Sequence, residues 1–148
     1  MVDGSGVTRG DKRRNARRGS LRELVPVTAA VVGIDLGEDK QVLVVTDHDS
    51  RVLYRKTLRV KASGLGPGLD AAAKAAAAAG FTSVTVGCEP TGARWMQVQD
   101  LARQRGMAFV CVQPMATHRA REEDDYTFNK SDDKDSVLIA YLVTQLRC

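Results

Sequence analysis

The sequence predicts an α/β fold, a mixed sheet with helices on both faces in the order βββαβαβα. Three observations predict it. Apolar runs of strand length open the regular part of the chain and are joined by short polar turns. Later strand-like runs alternate with stretches whose apolar residues recur at helical spacing. Glycine stands just past the end of two of those stretches, where helices commonly stop. At 148 residues the chain is long enough for one domain with a real core.

The elements follow in order. Residues 1–24 are rich in Gly, Ser, Arg and Lys and hold little to bury, so they read as a disordered basic tail ahead of a domain at 25–148. Ala29–Leu36 is an apolar run suited to a central strand buried on both faces. Gln41–Thr46 is a second strand and Arg51–Val60 alternates as a third, with the polar turn at His48, Asp49 and Ser50 joining them as a hairpin. The alanine content of Leu69–Ala79 predicts a helix that Gly80 stops. Thr82–Cys88 is a fourth strand. Trp95, Val98, Leu101 and Ala102 fall at helical spacing in Ala93–Arg105, and Gly106 ends that helix. Ala108–Val112 is a fifth strand. Residues 113–130 are polar, mixed in charge and aperiodic, and Asp132–Arg147 is a final helix. Three hairpin-joined strands followed by alternating α and β give the ribonuclease-H-like arrangement.

Charge is unevenly placed. Residues 1–24 hold seven basic and three acidic side chains, which leaves 15 of each sign in the rest of the chain. The positive character therefore belongs to the tail, read either as a solvated leader or as an arm that neutralises nucleic-acid phosphates. Cys88, Cys111 and Cys148 are odd in number and lack a C-x-x-C spacing, and with only two histidines they support no zinc site. Cys88 and Cys111 lie in apolar strands, as buried free thiols in a reducing, cytoplasmic compartment would. No apolar run is long enough to span a bilayer.

Four carboxylates carry the chemistry. Side chains alternate along a strand, so Gly33, Asp35 and Gly37 share one face and Gly87 shares a face with Glu89. The small residues are expected to leave room for an ion or phosphate beside each acid. Pro90 stops the fourth strand and puts Glu89 at its C-terminal end, where ligands bind in open α/β sheets. On the last helix Asp132 and Asp135 lie roughly 60° apart around the axis. Their face continues through Ile139, Leu142 and Leu146, so both acids belong to the stripe that packs on the sheet. A carboxylate there is costly unless paired or bound to metal. Each also has a plainer role. Asp35 can close a turn, Glu89 can cap the helix after Pro90, Thr91 and Gly92, and Asp132 with Asp135 can form a capping box. Lys130, Arg119 and Arg121 are candidate phosphate contacts, although the acidic run at Glu122, Glu123, Asp124 and Asp125 opposes a basic patch. Trp95 reads as core, and Tyr126 and Phe128 as clips for the loop or as stacking platforms for bases.

GIDLGEDK, GCEPTG-x-x-W and K-S-D-x-x-D-S-x-x-I-A resemble the motifs of the N-terminal, RuvC-like DEDD domain of the insertion-sequence one-ten transposases, over roughly residues 31–146. The resemblance implies that Asp35, Glu89, Asp132 and Asp135 are a catalytic tetrad binding Mg2+, with Mn2+ as a substitute. It implies DNA as substrate, an element-encoded guide RNA, and a homo-oligomer in the full-length protein. Family members carry a serine nucleophile on a C-terminal domain. Nothing here matches that motif, Ser131 and Ser136 included, so the chain is expected to be a truncated copy. The alternatives are a stand-alone Mg-dependent nuclease of the RuvC kind using water, or an inert nucleic-acid-binding fragment. The G-x-D-x-G of GIDLG also occurs in actin- and sugar-kinase-like phosphate loops. That fold needs a second subdomain, which 148 residues cannot supply.

Overall fold

A computed structural model describes residues 6–59, 64–113 and 134–148. Its elements are α1 (Arg9–Leu24), β1 (Ala29–Leu36), β2 (Lys40–Thr46), β3 (Val52–Arg59), α2 (Leu65–Ala78), β4 (Ser83–Cys88), α3 (Arg94–Gln104), β5 (Ala108–Cys111) and α4 (Lys134–Thr144). From β1 onward this is the predicted βββαβαβα. The strands form one sheet in the order β3-β2-β1-β4-β5, with β1–β2 and β2–β3 antiparallel and β1–β4 and β4–β5 parallel. This mixed sheet is compatible with the expected ribonuclease-H-like arrangement. It follows from short turns that permit hairpins and from helical crossovers that return the chain parallel.

Alternation along the strands sorts the core into two halves. Ala30, Val32, Ile34, Leu43, Val45, Val84, Val86 and Cys88 face α2 and α3, and bury Leu69, Ala72, Val98 and Ala102. Val31, Val44, Val110 and Val112 face the other way, onto Leu138, Ile139, Leu142, Val143 and Leu146 of α4. The predicted stripe of Ile139, Leu142 and Leu146 is therefore the buried one. Trp95 joins the first half as expected of a core residue, its ring stacked on Phe109 with centroids 6.5 Å apart.

Helix ends follow their local chemistry. Gly80 and Gly106 take positive φ, 94° and 68°, and each closes its helix with paired bonds from the residues past the end. Phe81 N–H donates to the Ala76 carbonyl and Gly80 N–H to that of Ala77, the Schellman pattern, and Met107 and Gly106 repeat it on Ala102 and Arg103. α4 ends the same way without a glycine: Arg147 bonds Leu142 and Leu146 bonds Val143, with Leu146 at φ 56°. The burial of the Leu146 side chain holds it in that unfavourable conformation. The helix accordingly stops at Thr144 rather than at Arg147. α2 starts four residues earlier than its alanines suggest, because Pro67 in the first turn lacks only an N–H that would have had no partner there.

The reading of residues 1–24 as disordered is corrected at Arg9–Leu24, which is a helix. Thr8 and Asp11 form a capping box: Thr8 Oγ1 accepts from Asp11 N–H at 3.1 Å, and Asp11 Oδ2 accepts from Thr8 N–H at 3.1 Å. The far end is tied to the domain. Val25 is fully buried, Leu21 packs against the α4 half of the core, and the Thr85 hydroxyl donates to the Leu24 carbonyl at 2.6 Å. Among the described residues, no helix is long and apolar enough to cross a membrane.

Candidate metal centre

Gly33 and Gly87 are register partners on the parallel strands β1 and β4, and both lie under α4. A methyl group on Gly33 would sit 2.8 Å from the Ala140 nitrogen and 3.0 Å from its Cβ, and would strike the Ser136 carbonyl. One on Gly87 would sit 2.5 Å from Val143 Cγ2. The two glycines let the helix backbone settle onto the sheet. This corrects the expectation that they keep space for an ion or phosphate, since α4 fills that space. Gly37 is used in a similar way, with a Cβ there 2.5 Å from the carbonyl oxygen of Lys40, the first residue of β2.

The close approach positions the acids. Asp35 lies two residues beyond Gly33 on the same face, about 7 Å along the strand. Glu89 lies two beyond Gly87, just past the end of β4. Asp135 is in the first turn of α4, next to the Ser136 whose carbonyl overlies Gly33. Asp35, Glu89 and Asp135 are each half-buried, and Ser136 is fully buried. Asp35 and the start of α4 that carries Asp135 thus lie on one face of the sheet, and Glu89 follows directly on the C-terminal end of the neighbouring parallel strand. Glu89 is not a side-chain cap of α3, because the N-cap residue of that helix is Ala93 and no side chain bonds there.

Among the described residues, no three His, Cys, Asp or Glu side chains gather into a group that could hold a metal ion. Asp132 lies outside those residues, as do Lys130, Arg119, Arg121, Tyr126 and Phe128. Carboxylate oxygens, the donors that Asp35, Glu89 and Asp135 carry, are of the kind that suits a hard divalent cation. On the opposite face, Cys88 is buried and its thiol is pushed up to about 12, first by desolvation and then by the neighbouring Cys111 and Glu89. That thiol stays protonated at neutral pH and is no thiolate ligand.

Sequence reasoning passed over one constellation. Asp47, at the end of β2, accepts from the N–H groups of Asp49 and Arg51, each at 2.9 Å, and from Arg51 Nε at 2.7 Å. Burial opposes its charge, but these bonds outweigh that and hold the carboxyl below the usual range. The signal was present as an Asp opening a polar turn, an Asx-turn pattern. Its role is to close the β2–β3 hairpin, at the end of β2 that pairs away from Asp35.

Comparison with known proteins agrees with the arrangement. The sequence model of the IS110-type DEDD domain, described as a transposase, matches residues 32–147, from the middle of β1 to past the end of α4. No curated protein matches the chain.

Proposed function

The chain belongs to the IS110 DEDD transposase family, and from that premise we propose that it is the metal-binding domain of an RNA-guided DNA transposase, with Asp35, Glu89, Asp132 and Asp135 as its cation ligands. Family membership implies DNA as the nucleic acid acted on and divalent metal as the ion required. The observation that carries the assignment of residues is the Gly33–Gly87 pair, which seats α4 so that Asp135 starts beside the face bearing Asp35 and Glu89.

The residues have distinct tasks in this reading. Asp35 projects from a strand paired on both sides, so its backbone position is fixed by the sheet, and Glu89 follows directly on the end of the neighbouring parallel strand. Asp135 comes from the first turn of the helix and closes the site from above, and Asp132 is assigned to the tetrad by the family motif. Half-burial of Asp35, Glu89 and Asp135 strengthens their hold on a cation by excluding part of the competing water. A divalent ion held there supplies charge stabilisation to the attacking and leaving oxygens of a phosphodiester. Lys130, Arg119 and Arg121 steady the phosphate backbone outside the tetrad. The nucleophile is a serine from another domain of the transposase, and the assembly is a homo-oligomer that also holds a guide RNA.

Thermal unfolding with and without Mg2+ or Mn2+ tests the ligand assignment, because a ion that binds only the native state raises its melting temperature. The wild type should shift upward, Asp35→Asn should not, and Asp133→Asn, at an acid next to Asp132 that is not assigned to the tetrad, should behave as wild type. A wild type that does not respond to either ion, or an Asp35→Asn variant that responds fully, contradicts the assignment.

A further inference from the structure

The helix α1 lies outside the matched transposase domain and has no part in the metal centre. It holds seven basic residues and two acidic ones in 16 residues, and none of its side chains is fully buried. At 100° per residue, Arg9, Lys12, Arg13, Arg14, Arg17, Arg18 and Arg22 leave no side of the helix without a cation. Two of them serve as anchors. Arg22 donates to the Val25 carbonyl at 2.9 Å, and Arg17 reaches the Cys148 carbonyl at 3.5 Å. Arg14 makes only a long, exposed contact with Asp11, at 3.5 Å. Arg9, Lys12, Arg13 and Arg18 have no ion-pair partner among the described residues.

From this placement we propose that α1 is a nucleic-acid-binding helix, which docks on the phosphate backbone through Arg9, Arg13, Arg14 and Arg18. Three arguments support it. Arg9–Arg13, Arg13–Arg17, Arg14–Arg18 and Arg18–Arg22 are like-charge pairs one turn apart, and each opposes the helix when no counter-charge is present. A polyanion removes that opposition. The helix has no free apolar face to bury in a membrane, since Leu21 is spent on the domain core. Its C-terminal end is rigidly tied to the domain at Val25 and Thr85, so bound phosphate is held at a fixed place relative to the sheet. The surface adds affinity without sequence reading, as phosphate contacts do. It needs no metal, so it stands or falls apart from the tetrad.

Binding of the full chain to duplex DNA, to a structured RNA and to single-stranded DNA, measured by fluorescence anisotropy in EDTA over a range of salt, tests the inference. The variant replaces Arg9, Arg13, Arg14 and Arg18 by Gln, which keeps helix propensity. A comparison variant replaces Lys56, Arg59, Lys74 and Arg103, four exposed cations elsewhere, for the same change in charge. Four lost phosphate contacts should flatten the log–log salt slope on duplex DNA by about 3.6, or by about 2.8 on single strands. Between about 50 and about 200 mM salt, that removes about a 150-fold share of the loss in duplex affinity. Which nucleic acid shows the larger change identifies the one α1 holds. Equal slopes for wild type and the α1 variant on all three overturn the proposal. So does an equal flattening by the comparison variant, or binding to anionic phospholipid vesicles in place of nucleic acid.

Discussion

Replacing Gly33 by alanine tests whether α4 is seated as described. The added Cβ would sit 2.8 Å from the Ala140 nitrogen and against the Ser136 carbonyl, where ordinary contacts are 3.4–4 Å. Both are backbone atoms of a helix and cannot rotate away, so α4 must lift by roughly 0.5–1 Å. A gap of that size forfeits about a quarter to a half of each dispersion contact beneath it. The side chains that lose contact are Leu138, Ile139, Leu142 and Val143, all buried. Overpacking of this kind costs about 3 kcal/mol, the upper part of its usual range. Removing a glycine from a strand returns less than about 1 kcal/mol. The net loss of about 2–3 kcal/mol should lower Tm by about 10 °C. Gly87→Ala should cost less, because it meets a single methyl of Val143 that can shift. At temperatures where Gly33→Ala is still folded, it should also have lost its metal response, since the lifted helix carries Asp135. Differential scanning calorimetry with and without Mg2+ reads both effects. A Gly33→Ala protein within about 2 °C of wild type would refute the close seating.

The remaining predictions concern other parts of the chain. Asp47→Ala should cost about 1.5–3 kcal/mol, the worth of charge-assisted hydrogen bonds. Because the folded Asp47 carboxyl lies below its unfolded value, its contribution is present above about pH 3.9 and is lost as pH falls through the lowered folded value. Urea melts across that window should therefore show the wild type losing stability faster than Asp47→Ala. The Cys88 thiol is raised to about 12, so its contribution is intact below about pH 8.5 and lost as pH rises toward that value. In the native state at pH about 8, iodoacetamide should modify Cys111 and Cys148 before Cys88, as read by peptide mass mapping. Gly19→Ala, at a helical position with nothing within 4 Å, should raise amide-exchange protection along α1, and unchanged fast exchange there would argue against the helix.

The alternation of Val32, Ile34, Val86 and Cys88 against Gly33, Asp35, Gly87 and Glu89 was legible because a strand's period of two leaves little choice of face. The helix stops at Gly80 and Gly106 were equally legible, since positive φ favours glycine. The stop at Leu146 was not, because its conformation is held by tertiary burial. The roles of Gly33 and Gly87 were misread for a related reason. A bare Cα in a strand signals close approach, but not whether ligand or helix backbone approaches. Helix α1 was missed because its composition argues for disorder, and the Thr8-x-x-Asp11 capping signal is short. Asp35, Glu89 and Asp135 could be read as a set only because the order of elements puts them at the ends of β1 and β4 and the start of α4.

The central claim is that the seating of α4 on Gly33 and Gly87 builds a divalent-cation site from Asp35, Glu89 and the first turn of that helix. Anomalous scattering from a crystal of the chain grown with Mn2+ tests it most directly. The account predicts a manganese peak within coordination distance of the Asp35 carboxylate and of at least one of Asp132, Asp135 and Glu89. A peak coordinated elsewhere, or Asp35 and Asp135 turned away from one another with no manganese between them, would contradict it.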